Sequence, residues 1–346
     1  MRSLRRAAFF PCFFDMKLFF WVLVLAAAAW GAHWGADKLA EPLKKVRQQW
    51  GLSEAAGAAF IALATASPEV GTNVASAVRG LKDIGLGNLL GSNIISVPAI
   101  VTVAYIASRK RTKNSSESSR RRQHSMQVKP EALYVQALPY LAIIALAAVL
   151  TLPQPWRGLQ PIDGWIMFAA YLVYVAQAIM RDRQDGQVVR WNKKEIIVAI
   201  LGVLLLALGA YLTVTATENI VTLLGISKLI GGLFITSSMS IAPEIFATWS
   251  VARSGQVTAA TTNVIADNTV TMTLAFFPLA LVNLLIDNLL IFSVNLAFVA
   301  LLGIVYAAFI YWGSDKNSFQ FWEVLALNGV YFAYLAVMLF GVLKVF

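Results

Sequence analysis

Two carboxylates occupy places where a bilayer makes charge costly. Glu69 follows Pro68, and Glu244 follows Pro243, each inside a stretch apolar enough to cross a membrane. An ionised carboxylate at the bilayer centre costs roughly 2.5 kcal/mol or more. A proline within a membrane helix removes a backbone donor and clashes with the turn before it, so the helix is expected to bend or break there. Carbonyl oxygens around Thr65 and near Ser240 then lose their partners. Such oxygens persist only where they line a protein-buried or wet cavity. Two glutamates, freed carbonyls and the hydroxyls of Thr65 and Ser240 make an all-oxygen donor set. Hard cations such as calcium take about six to eight oxygens, and sodium is also hard. Nothing in this set suits a soft transition metal.

The layout occurs twice. "ATASPEVGTNVASAVRGLKDIGLGNLLGSNIIS", from Ala64, aligns without a gap on "MSIAPEIFATWSVARSGQVTAATTNVIADNTVT", from Met239. Glu69 falls on Glu244, Gly80 on Gly255, Asn88 on Asn263 and Asn93 on Asn268, at one offset of 175 residues (244 − 69). Polar landmarks held at one offset over such a length indicate an internal duplication. Asn88, Ser92 and Ser96 are spaced by four and share a helix face. Their images are Asn263, Asp267 and Thr271, so Asp267 is a third intramembrane acid. For Asn73, Ser76, Gly85, Gly87, Gly91, Asn93 and Asn268, close helix packing is as good an account as ligation.

The elements that must position these residues are membrane helices. The chain has 346 residues, 58% hydrophobic and 13% charged, and a mean hydropathy of +0.68. A soluble protein of this size carries far more charge. Apolar runs of about 20 residues span ~30 Å of hydrocarbon as helices. About ten are present: Lys17–Ala40, Ser53–Gly80, Ile84–Ala107, Glu131–Leu152, Ile162–Met180, Glu195–Thr217, Ile226–Ser254, Val257–Leu281, Leu289–Trp312 and Phe321–Val345. The expected class is an all-α polytopic membrane protein of two five-helix repeats. Five spans per half, an odd number, force the halves into opposite orientation, as in many secondary transporters.

Segment by segment, residues 1–15 read as an N-terminal extension, with Met16 an alternative start. Residues 16–107 hold helices 1–3 and the first motif (64–96), and 108–130 form a basic loop. Helices 4–5 occupy 131–180, a second basic loop 181–194, helices 6–8 with the second motif (239–271) 195–281, and helices 9–10 282–346. Basic residues collect on the cytoplasmic side. Arg109, Lys110, Arg111, Lys113, Arg120, Arg121 and Arg122 put the first loop inside. Arg181, Arg183, Arg190, Lys193 and Lys194 do the same for the second. Both termini are then outside, in a plasma (inner) membrane. The net charge of +10 reflects this topology rather than a nucleic-acid partner.

The single cysteine, Cys12, excludes an internal disulfide. His33 and His124 are far apart and read as polar residues near a membrane edge or in a loop. No helix-borne His pair, phosphate loop or nucleophile motif points to an enzyme, and no cofactor is expected.

With "PE" and "GNLLGSN" in the first copy, and "SIAPE" with "TNVIADNTVT" in the second, the chain resembles the cation/calcium exchanger superfamily, in its sodium/calcium exchanger-like branch. The resemblance implies ten helices, ion sites where spans two, three, seven and eight cross, and alternating access with spans one and six sliding against the rest. It implies calcium export coupled to sodium entry. It also implies that Glu69 and Glu244 are calcium carboxylates, that Thr65 and Ser240 give oxygens to calcium and sodium, and that Ser92 and Asp267 line sodium sites.

Three departures from the family pattern matter. Ser96 stands where an asparagine is usual. Thr271 replaces a residue that is acidic in many relatives. Ala266-Asp267 replaces glycine-serine. One helical turn separates Asp267 from position 271, about 6 Å along the same face, so Asp267 is expected to substitute for the missing acid. Three functions stay open on the sequence: a calcium/sodium antiporter, a calcium or other cation/proton antiporter, and a non-transporting sensor or scaffold on the same fold.

Overall fold

The structure is a computed structural model that describes residues 4–51, 62–109, 125–128, 133–181, 186, 188–253, 257–313 and 318–344. His124, Gly255, most of the basic 108–130 loop and the side chain of Cys12 lie outside the described residues.

Helix α1 covers Leu4–Gln49, α2 Ser67–Val78 and α3 Lys82–Arg109. A π-helical turn, Leu133–Ala137, leads into α4, Leu138–Thr151. Next come α5, Pro161–Arg181, and α6, Lys193–Leu224. Helix α7 runs from Lys228–Ile230 through a π turn, Gly231–Thr236, into Ser237–Arg253. Helix α8 runs from Val257–Val270 through a π turn, Thr271–Ala275, into Phe276–Leu281. Helix α9 is Leu289–Trp312, and α10 is Phe321–Ala336 with a π-helical end, Val337–Val342. Among the described residues, seven helices are long and apolar enough to cross a membrane: α1, α3, α6, α7, α8, α9 and α10.

Local chemistry sets the boundaries. The Asn192 side chain accepts from Lys194 N and starts α6, and Gly225, with φ 68°, ends it in the left-handed cap that glycine adopts without penalty. Asn288 caps α9 by accepting from Ile291 N. Helix α1 outruns the apolar stretch from Lys17 to Ala40 because its polar end stays helical, with Lys44 and Glu41 paired at 2.7 Å.

Loop contacts gather at two ends. At one, Lys82 donates to Asn283 O, Leu159 bridges Leu284, and Arg79 pairs with Glu218 at 2.9 Å. At the other, Lys45 contacts Glu195 and Arg190 O, and Trp191 reaches Gln49. The second end also carries a feature the sequence left as loop. Strand β1, Ser125–Gln127, pairs antiparallel with β2, Ser318–Gln320.

Helices α3 and α8 form the centre: 72% and 78% of their apolar windows are buried, against 22% for α6. The outer face of α6 exposes Ile197, Leu201, Leu204 and Leu208, as a lipid-facing helix does. Helices α1 and α6 touch backbone to backbone. A Cβ on Gly35 would strike Gly202 O, and one on Gly209 would meet Ala28 O at 2.7 Å. Small residues allow this approach where no hydrophobic force operates between helices.

The same device joins α3 to α7. A Cβ on Gly87 would strike Leu229 O and lie 2.7 Å from Leu233 N and 2.8 Å from Gly232 Cα. These are backbone atoms that cannot swing aside. Gly87→Ala is expected to cost about 1–3 kcal/mol through overpacking, read as a lowered thermal midpoint in detergent. Gly329→Ala, with open space at its Cβ, should be neutral or mildly stabilising.

Candidate functional site

The first acid owes its place to a helix restart. Residues 62–65 are helical, Ala66 interrupts with φ −80° and ψ −4°, and α2 begins at Ser67. Pro68 then sits in the first turn, where its missing N–H would have had no intrahelical acceptor. Glu69 is in that same turn, where the helix dipole favours negative charge. The second copy differs from expectation. Pro243 lies inside a helix that continues through it, and the irregular turn is the π segment Gly231–Thr236 upstream. The backbone there absorbs the irregularity as an inserted residue rather than a break.

Glu69 is 1% exposed, and its Oε2 has no hydrogen-bond partner. Ser240 is buried on α7, one turn before Glu244. Thr65 Oγ1 donates to Asp267 Oδ1 at 2.8 Å and shares that proton with Ala62 O at 3.1 Å. Asp267 is buried, and its charge bears on both Glu69 and half-buried Glu244. The 62–65 turn and helices α2, α7 and α8 thus bring together Thr65, Glu69, Ser240, Glu244 and Asp267. Among the described residues, no lysine or arginine forms an ion pair with these acids. Three carboxylates with no countercharge and an orphaned oxygen are a strong electrostatic well for a cation.

The remaining sequence candidates sit otherwise. Ser96 donates to Asn268 Oδ1 at 3.0 Å. Ser92 and Thr271 bond carbonyls of their own helices, Leu89 O at 3.3 Å and Asp267 O at 3.0 Å. Asn88 is fully buried with both amide atoms unpartnered. Asn263 is half-buried. Two of the amides bond across helices: Asn73 donates to Ala275 O at 3.0 Å, with its own Oδ1 unpartnered, and Asn93 accepts from Tyr140 at 3.0 Å.

His33 requires a correction. It is not an edge residue. One of its ring nitrogens and one carboxylate oxygen from each of Glu69 and Glu244 lie within 4.8 Å of one another. The ring comes from α1, outside both motifs. The available signal was its setting, since an ionisable residue within an apolar span is a functional candidate by default.

Comparison with known proteins places this geometry in context. The sequence profile of a family described as "Sodium/calcium exchanger protein" matches residues 19–180 and 194–340. A curated relative, the sodium/calcium exchanger MaX1 of Methanosarcina acetivorans, is 32% identical over 79 residues, which is 22% of this chain and 23% of that protein. The alignment therefore spans about a quarter of that relative's length. The H+/Ca2+ exchanger CAX aligns with a TM-score of 0.69 at 15% identity, covering 96% of this chain and 83% of that one. The sodium-calcium exchanger NCX_Mj aligns with a TM-score of 0.59 at 18% identity, covering 94% and 98%. At these identities the likeness speaks for the fold.

Proposed function

The chain belongs to the sodium/calcium exchanger protein family, and from that premise we propose that it exchanges calcium for sodium by alternating access. As a member of a family of ion exchangers it is a multi-pass membrane transporter and not an enzyme. The observation that carries the calcium reading is the cluster of buried Glu69 and Asp267 with half-buried Glu244, which among the described residues has no basic partner, with Glu69 Oε2 lacking any partner. The cation ligands are Glu69 and Glu244, helped by Ser240 and Thr65. Asp267 holds a monovalent ion beside them. Asn88, Ser92, Ser96, Asn263 and Thr271 line the ions' path on α3 and α8.

The proposed plan is about ten crossings in two inverted halves. The constant offset between motifs supports it, and so do the loops. Turns that alternate crossing assigns to one side, near Gly80, Gly225 and Asn283, share contacts through Arg79, Glu218, Lys82 and Lys228. In a plasma (inner) membrane both termini then face outside and the basic loops face the cytoplasm.

The mechanism is electrostatic. One divalent ion or several monovalent ions must neutralise the acids before the site can cross a low-dielectric barrier. An empty, fully charged site resists switching, so the protein exchanges rather than leaks. The α1–α6 pair, packed tightly on itself through Gly35, Gly202 and Gly209, moves as one body against the rest.

A second reading, calcium for protons, draws on the same orphaned Glu69 oxygen, which a proton neutralises as a cation does. Calcium uptake into proteoliposomes separates the two. An imposed sodium gradient should drive uptake, and a pH gradient alone should not. Uptake driven by pH alone favours the second reading, and uptake driven by neither overturns both.

A further inference from the structure

We propose that His33 gives this site a nitrogen donor, and that His33, Glu69 and Glu244 together form a seat for a borderline divalent metal ion of the zinc class. The inference rests on the cation-site reading of the two glutamates.

The ring is built to donate a lone pair inward. His33 Nδ1 lies 2.9 Å from Ala29 O, one turn back on α1. A carbonyl oxygen only accepts, so Nδ1 carries the proton and Nε2 keeps the lone pair. Metal-ligating histidines are oriented in this manner, with the second nitrogen tied to a carbonyl or carboxylate. Nε2 is buried and has no hydrogen-bond partner. Glu69, grouped with His33 and Glu244, also carries an orphaned oxygen, Oε2, and buried polar atoms are rarely left so without a reason.

Distance agrees. One ring nitrogen of His33 and one carboxylate oxygen from each glutamate lie within 4.8 Å of one another. Ligand atoms roughly 2.0–2.2 Å from a zinc ion are about 3.5 Å apart in a tetrahedron, so only a small contraction is needed. Chemistry decides which cation profits. Calcium and sodium take oxygen, and an imidazole adds nothing they need. Zinc binds imidazole and carboxylate together. The donors also ride on three different helices, α1, α2 and α7. A zinc ion held by all three ties α1 to the core, so zinc bound here arrests the exchange of calcium.

The test uses the untagged full-length protein, with zinc and calcium ions as probes. The chain holds two histidines, His33 and His124, so in a His124→Ala background any imidazole on bound zinc comes from His33. X-ray absorption of that zinc-loaded protein should show imidazole scattering. His33→Gln should weaken zinc binding about 10- to 100-fold, change calcium binding less than about threefold, and relieve zinc inhibition of calcium flux. Absence of imidazole scattering overturns the proposal, as does equal weakening of zinc and calcium. If His33→Gln does not fold, the absorption spectrum decides alone. Failure of the parent reading looks different: wild-type protein then neither binds calcium nor moves it, whatever His33 does.

Discussion

Glu69→Gln combined with Glu244→Gln abolishes calcium transport in proteoliposomes while leaving the protein as stable as before. Glutamine keeps the size and one acceptor oxygen but removes the charge. A divalent ion would then sit in a desolvated site with only Asp267 to balance it. Losing that compensation costs at least about 3 kcal/mol, near 100-fold in affinity or more. Stability separates this outcome from a structural role. Like charges packed without a basic partner are a burden on the empty fold, so neutralising two of them leaves the thermal midpoint unchanged or raises it. Calcium flux, and calcium's effect on the midpoint, are the measurements. Undiminished flux in the double variant would remove the acids from the mechanism.

The reason the sequence discloses so much of this site is geometric. Proline and an adjacent acid in an apolar run have few cheap explanations, and the second copy repeats them at one fixed offset. The structure adds that a hydroxyl of one copy holds an acid of the other. Thr65, from the first motif, bonds Asp267 of the second. What stays hidden is what the repeat does not duplicate. One offset beyond His33 (33 + 175 = 208) stands Leu208, exposed on α6, so comparing the copies is blind to that imidazole. The π turn ahead of Ser240 is equally silent, because inserting a residue into a helix changes backbone hydrogen bonding without changing residue types. The β1–β2 pairing joins three-residue segments far apart in the chain, each with one buried apolar residue, Met126 or Phe319, too short for alternation to mark a strand.

Asp267 offers the sharper test of which ion is coupled. Thr271 spends its hydroxyl on Asp267 O, within its own helix, at 3.0 Å, so it offers no charge where many relatives have an acid. Asp267, one turn away, supplies that charge and is held by Thr65 at 2.8 Å. Asp267→Asn keeps an oxygen that can accept from Thr65, so packing survives while the charge is lost. The expected result is a loss of sodium dependence, with half-saturating sodium raised about tenfold or more, roughly 1.4 kcal/mol. Calcium binding, anchored on Glu69 and Glu244, should move much less. Thr271→Asp in the Asp267→Asn background returns a carboxylate to the same helix face, about 6 Å along the axis, and should restore sodium dependence in part. Thr271→Asp alone crowds a fourth acid into a site already without countercharge, and should lower stability in sodium-free medium. The sodium dependence of calcium flux across these three variants decides the matter. A curve for Asp267→Asn that superimposes on the wild-type curve refutes the substitution of one acid for the other. The third carboxylate would then be left with a role in holding Thr65 and the helix restart above Glu69.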